Sequence, residues 1–186
     1  MTQDRGHLMT ERVNERSRGI DRMSVAECVD LINSEDAQVA AAVAAAKSDI
    51  VRAIELVVAA FRAGGRLIYV GAGTSGRLGV VDASECPPTF LTDPQMVQGI
   101  ISGGDRAMFR SVEGAEDDPE GAVQVLAERH IGPKDVVFGI ATGGTTPFVH
   151  GAVRYARQAG ARTVFFACVS KDECSDEAEV SIRVLV

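Results

Sequence analysis

From Arg66 onward, short runs of continuously apolar residues alternate with segments of helical periodicity, and this alternation constrains the fold more than any other feature. The apolar runs fall at 67–70, 96–101, 136–140, 163–168 and 180–185. Helical segments lie near 75–83, 105–112, 119–129 and 147–159. Strands that are apolar on both sides belong to a parallel sheet covered on both faces. Parallel neighbours need crossover connections, which are usually helical and right-handed. The pattern therefore predicts an α/β fold, a three-layer α/β/α sandwich around five parallel strands. Ahead of it, residues 1–22 are polar, charged and aperiodic, an arm that needs something to lie against. A helix is expected from Ser24, because Ser24 and Glu27 have capping-box spacing and Val25, Cys28, Val29 and Ile32 share a face. A second, Ala-rich helix is expected over about 36–63, closed by Gly64-Gly65. Its apolar face would carry Val39, Val43, Ile50, Ile54, Val57, Val58 and Phe61. The chain then divides into an N-terminal arm with helices (1–63) and a sheet domain (64–186).

Composition narrows the partners. The 186 residues carry a formal charge of −7, which disfavours nucleic acid and other polyanions. The Ala-rich stretch 39–46 is the longest apolar run and is too short to span a bilayer, so no membrane partner is expected. Residues 1–22 have no apolar segment of the kind a secretion signal needs. The four cysteines, Cys28, Cys86, Cys168 and Cys174, form no CxxC pair, and the chain has 3 histidines. A metal site or disulfide framework is not expected, and the cytoplasm is the expected location.

Two loops at predicted strand ends have the composition of anion sites. The first is Gly71-Ala72-Gly73-Thr74-Ser75-Gly76-Arg77, opening a helix. Glycines let backbone approach an anion, and a helix N-terminus presents free N–H groups with a favourable dipole. The loop also matches GxGxxG, but a dinucleotide site wants an acid at the end of the next strand. Asp93 precedes that strand and Asp105 comes late. The second loop is Thr142-Gly143-Gly144-Thr145-Thr146-Pro147, with Pro147 suited to a first helical turn. Two hydroxyl-rich loops at the carboxyl edge of one sheet suit a phosphate monoester with a polar body, such as a sugar phosphate. Ordinary turn chemistry with Ser and Thr caps is the competing explanation. A third turn, Ser102-Gly103-Gly104-Asp105, either completes the pocket or caps a helix.

The segment Gly65 to Gly79 (GRLIYVGAGTSGRLG), running into Asp82-Ala83-Ser84-Glu85-Cys86-Pro87-Pro88-Thr89, resembles the N-acetylmuramic acid 6-phosphate etherases. So do Val112-Glu113-Gly114-Ala115-Glu116-Asp117, the segment Leu31-Ile32-Asn33 through Glu35-Asp36, and the scatter Thr10-Glu11, Asn14, Ser17, Ile20-Asp21. The similarity covers essentially the whole chain. It implies the sugar isomerase (SIS) fold, with a five-stranded parallel flavodoxin-like sheet. It also implies a lyase that splits the D-lactyl ether of N-acetylmuramate 6-phosphate to N-acetylglucosamine 6-phosphate and D-lactate, in cell-wall sugar recycling. By this analogy Glu85 protonates the departing lactate oxygen and Glu116 acts on the C2 proton. Gly73, Thr74, Ser75, Ser84, Thr142, Gly143, Gly144 and Thr145 would bind substrate and phosphate. No cofactor or metal is needed, and a homodimer with its site near the interface is implied.

Without the resemblance, Glu85 reads as a solvated residue at a helix end and Glu116 as one of several acids favouring the helix at Pro119. Cys86 reads as packed rather than nucleophilic, His130 and His150 as surface or packing residues, and 171–179 as a solvated charged turn. The arm and the Ala-rich helix suggest packing on a second subunit. The second loop departs from the family pattern, which has Ser before the glycine and Arg soon after it. Family enzymes also continue beyond the last strand into a helical region that helps enclose the sugar, whereas this chain stops at Val186. A sugar-phosphate sensor and an aldose–ketose phosphosugar isomerase remain alternative readings.

Overall fold

The computed structural model describes residues 6–186. The first helix, α1 (Val25–Ala45), starts at the expected capping box: the Ser24 hydroxyl accepts from the Glu27 N–H, and the Glu27 carboxylate accepts from the Ser24 N–H at 2.7 Å. The expected boundary near Asp36 is absent. Ser34 bonds back to the Leu31 carbonyl at 2.7 Å, so a residue that often starts a helix is accommodated inside one. The chain breaks instead at Ala46, before α2 (Lys47–Arg62). Ala46 packs with Ala53 and Ala60 against the sheet. Of the expected apolar face, Ile50, Val57 and Phe61 reach the core, whereas Val39, Val43, Ile54 and Val58 are exposed, and no residue of α1 is buried.

Among the described residues, five parallel strands form one sheet: β1 (Leu67–Gly71), β2 (Val97–Ile101), β3 (Val136–Ile140), β4 (Arg162–Ala167) and β5 (Val180–Arg183), in the order β2-β1-β3-β4-β5. The expected three-layer α/β/α sandwich with a flavodoxin-like sheet is what the chain forms. Between strands lie α3 (Gly73–Phe90), α4 (Pro119–Glu128) and α5 (Pro147–Gln158). Alternation along β1 shows how the layers form. Leu67 packs with Ala53 and Ala60 of α2 and Ala83 of α3, while Ile68 and Val70 pack with Ala122 and Leu126 of α4 and Ala152 and Ala156 of α5. The helix expected over 105–112 shrinks to a 3-10 turn, Asp105–Met108. Arg77 donates to the carbonyls of Ala107 and Met108, at 2.8 and 3.0 Å, occupying acceptors that a continuing helix would use.

At the amino edge of the sheet, Asp135 holds β1 to β3. Its carboxylate accepts from the Arg66 N–H, from the Arg66 guanidinium at 2.7 Å and from the Gly132 N–H. At the far side, the turn after β4 is not merely solvated. The Asp176 carboxylate has no exposed surface and receives Arg183, the Ser181 hydroxyl and the Ala178 N–H. Arg183 also lies over the Phe165 ring. Burying an acid is tolerated here because every bond it needs is supplied.

Part of the arm packs on its own chain, while Val13 and Ile20 stay exposed. Leu8 is fully buried among Ala141, Val149, Val153, Phe165, Ala167 and Val169. Arg12 pairs with Glu173 at 2.9 Å, while Asn14 and Arg16 bond Glu35 and Ser34 on α1.

Candidate functional site

β1 lies between β2 and β3, and the chain steps from β1 to β2 on one side before crossing back to β3 on the other. The carboxyl ends of β1 and β3 therefore flank the switch point where ligands enter such sheets. Both predicted loops sit there. After β1, a sharp turn sends Gly73 into α3. The approach is so close that a Cβ at Gly76 would lie 2.7 Å from the Gly71 carbonyl oxygen and 2.7 Å from Ile101 Cγ1. Only a glycine lets the helix start against the strand end in this way. The Ser75 hydroxyl faces the Thr142 hydroxyl across the switch point at 3.5 Å, so the two loops converge.

In the second loop, Gly144 is buried with φ of 75°, and its carbonyl accepts from His150 Nε2 at 2.6 Å and Cys174 Sγ at 3.0 Å. The His150 ring also stacks on Phe165 at 5.2 Å. His150 is thus a packing residue, as expected, that additionally fixes the loop. Thr142 is exposed at the edge, and Gly143 and Thr145 are partly exposed.

The third turn contributes Ser102 to a cavity beside the first loop, which the second loop does not line. Ser102 is buried, and its N–H donates to the Gly71 carbonyl at 3.0 Å. With Gly73, Arg77, Ser111, Gly114 and Glu116, it lines a cavity of about 260 Å³. Glu116 is an exposed residue of a 3-10 turn, Ala115–Asp117. The neighbouring Asp118 is committed to capping α4, accepting from the N–H groups of Glu120 and Gly121. Ser102 belongs to the third turn that the sequence singles out, whereas Arg77 and Ser111 carry no individual role in the sequence reading. Arg77 stood within the first loop's motif, but its partners lie some 30 positions away and leave no local signal.

Glu85 and Ser84 lie elsewhere. α3 continues through Pro87 and Pro88 to Phe90, so both residues, just past the expected end near 83, stand within the helix on its exposed side. At 1.5 Å per residue, Glu85 is about 18 Å along the axis from Gly73. Ser84 donates to the Val81 carbonyl and borders a separate cavity with Pro87 and Gln95. Within one chain, the first loop gathers with Glu116 and the second loop, and Glu85 does not join them. Thiol chemistry finds no support: burial pushes the Cys86, Cys168 and Cys174 thiols up, keeping them protonated. Among the described residues there is no cluster of His, Cys, Asp or Glu that could hold a metal ion.

Residues 49–157 match the family model of the glucokinase regulatory protein N-terminal SIS domain. The chain belongs to this SIS-domain family. As a SIS domain it is also similar to proteins named N-acetylmuramic acid 6-phosphate etherase. It is 53% identical to that of Rippkaea orientalis and 56% to that of Gloeobacter violaceus, each over 183 residues and 98% of this chain. The chain spans 60% of the length of those relatives. Among solved structures, phosphoheptose isomerases from Neisseria gonorrhoeae and Francisella tularensis superpose with TM-scores of 0.61 and 0.62. The first match covers 84% of this chain and 86% of that one at 16% identity; the second covers 88% and 87% at 20% identity. Those likenesses show the shared SIS fold alone.

Proposed function

We propose that the protein carrying this chain is a carbon–oxygen lyase that cleaves the D-lactyl ether of N-acetylmuramate 6-phosphate to N-acetylglucosamine 6-phosphate and D-lactate. The observation that carries this reading is identity of 53–56% to relatives so named, running over 183 residues that include every loop of the site. The phosphate would sit between the Ser75 and Thr142 hydroxyls, with Gly73, Thr74, Gly143, Gly144 and Thr145 lending backbone and side-chain donors. In the ring-opened sugar, C2–H lies next to the C1 aldehyde and is acidic enough for a carboxylate to remove. Glu116, beside Gly73 in the cavity, is the candidate base. As the C2 proton leaves, the C3–O bond breaks and the lactate oxygen takes a proton from Glu85. Water then adds at C3 of the unsaturated aldehyde while a proton returns to C2. One carboxyl must start charged and the other protonated. The steps are proton transfers, one elimination and one addition with no change of oxidation state overall, so the sequence of steps calls for no cofactor.

The separation of Glu85 from Glu116 is met by a homodimer. Thr74, Leu78, Val81 and Glu85 recur at helical spacing on one exposed side of α3, and Leu78 and Val81 are 62% and 51% exposed. Antiparallel pairing of α3 with its own copy, about an axis between Gly79 and Val80, sets Leu78 against the partner's Val81 and Thr74 against the partner's Glu85. The site would then take its acid from the second subunit. The cytoplasm suits such a metabolic role: no described helix is long and apolar enough to cross a membrane, and all four cysteines are free.

A second reading, a sugar-phosphate sensor, is favoured by the family model itself. Incubation with N-acetylmuramate 6-phosphate in deuterated water separates the readings. Lactate release with deuterium at C2 is expected. C2 exchange with ketose formation would point to an isomerase, and binding without either to a sensor.

A further inference from the structure

The Thr10-Glu11 pair belongs to an N-terminal motif for which the reaction has found no use, yet the fold brings it to the second loop. Leu8 anchors the arm in the apolar cluster beneath Ala141 and Ala167, where β3 and β4 end. Arg12 fastens it on the other side, binding Glu173 and the His7 carbonyl. Between these anchors, Thr10 lies against Gly143, and a Cβ built there would meet Thr10 Oγ1 at 3.5 Å before any other atom. That hydroxyl is sealed from solvent and has no hydrogen-bond partner. A buried hydroxyl without a partner has lost its hydration and gained nothing in return. Packing does not require this loss, because valine has the same shape.

We propose that the arm forms a wall of the phosphosugar site and that Thr10 is a binding residue, its hydroxyl donating to a phosphoryl oxygen of a sugar phosphate seated on the Thr142–Thr145 loop. The proposal rests on the reading of that loop as a phosphate site. Seating the anion displaces the loop backbone at Gly143, where no side chain stands in the way, and gives the hydroxyl the partner it lacks. A bond to a charged oxygen is stronger than one between neutral groups, so the free-state cost is recovered with a surplus on binding.

The test measures binding of N-acetylglucosamine 6-phosphate by calorimetry, with the thermal midpoint of the ligand-free protein taken in parallel. Thr10→Val should weaken binding by about tenfold or more while leaving the ligand-free midpoint unchanged or higher. Thr10→Ser should restore affinity. A purely structural threonine would give the opposite split, with a lower midpoint and unaltered affinity, and that result overturns the proposal. Thr142→Val reports on the loop separately. If it and Thr10→Val both bind like the wild type, the loop reading falls and the Thr10 assignment with it. If Thr142→Val alone loses affinity, the loop stands and the arm is only a brace.

Discussion

If Glu85 serves the site of the neighbouring subunit, two inactive variants should repair one another. Glu85→Gln removes the acid and Glu116→Gln the base, and loss of either general acid–base group lowers a rate by about 10²–10⁴-fold. Co-expressed in equal amounts, the two chains form about half mixed dimers if pairing is isologous and random. In a mixed dimer, one site combines an intact Glu116 with an intact Glu85 from across the interface, and the other site combines both glutamines. One site in about four is therefore restored, and lactate release should recover to about a quarter of the wild-type rate. That level stands more than tenfold above either variant alone. The assay couples lactate release to a D-lactate dehydrogenase, with both chains differently tagged so that mixed dimers are isolated before measurement. Isolated mixed dimers should show about half the wild-type rate, since one of two sites is intact. The geometric basis is narrow: about 18 Å of helix between Gly73 and Glu85, and an exposed stripe whose midpoint lies between Gly79 and Val80. Mixed dimers no more active than the single variants would refute the trans arrangement. A Leu78→Glu substitution should abolish both dimer and activity by setting a charge on the apolar stripe, and sedimentation velocity would read the loss.

Other perturbations test the frame around the site. Gly76→Ala forces a methyl group to within 2.7 Å of the Gly71 carbonyl and Ile101. Overpacking of this kind costs about 1–3 kcal/mol, so the melting temperature should fall by several degrees and phosphosugar affinity should fall with it. Burial alone would raise the Asp135 and Asp176 carboxyls, but the hydrogen bonds they accept outweigh it and hold both below the usual carboxylate range. Groups lowered in the folded state contribute stability that is full above the unfolded value, about 3.9, and is lost as pH falls through the folded one. Thermal midpoints should therefore be level near neutrality and fall steeply below about pH 4. Asp135→Asn should lower the neutral plateau by about 3–5 kcal/mol, because it leaves Arg66 without its counter-charge, and should flatten the acid limb. His150→Phe keeps the ring against Phe165 but removes the bond to the Gly144 carbonyl; its expected mark is weaker phosphosugar binding with little change in melting temperature.

What could be read in advance follows the range of the interactions. The strands, their parallel arrangement and the position of the two glycine-rich loops at strand ends rest on patterns within a few residues, and they lie close to where the residues predict. The break at Ala46 was not legible, because it depends on how Ala46, Ala53 and Ala60 meet the sheet rather than on any local stop signal. The helix expected near 75–83 stops just short of Glu85, yet α3 carries Pro87 and Pro88 in its final turn and runs to Phe90, capped by Leu91 in a left-handed conformation. That extension decides where Glu85 stands. The segment 171–179 looked solvated because its charges are dense. Arg183, seven positions on, draws Asp176 inward, and the sequence-distant Arg12 and Gly144 carbonyl bind Glu173 and Cys174.

The lodging of Leu8 at the ends of β3 and β4 also sets an order of events in the life of the chain. Arg12 and Glu173 are 161 positions apart. Residues 8–12 thus have nowhere to settle until β4 and the turn behind it have been made and folded. The arm therefore docks only after the strands it leans on are in place, and its contact with the second loop forms late relative to the sheet.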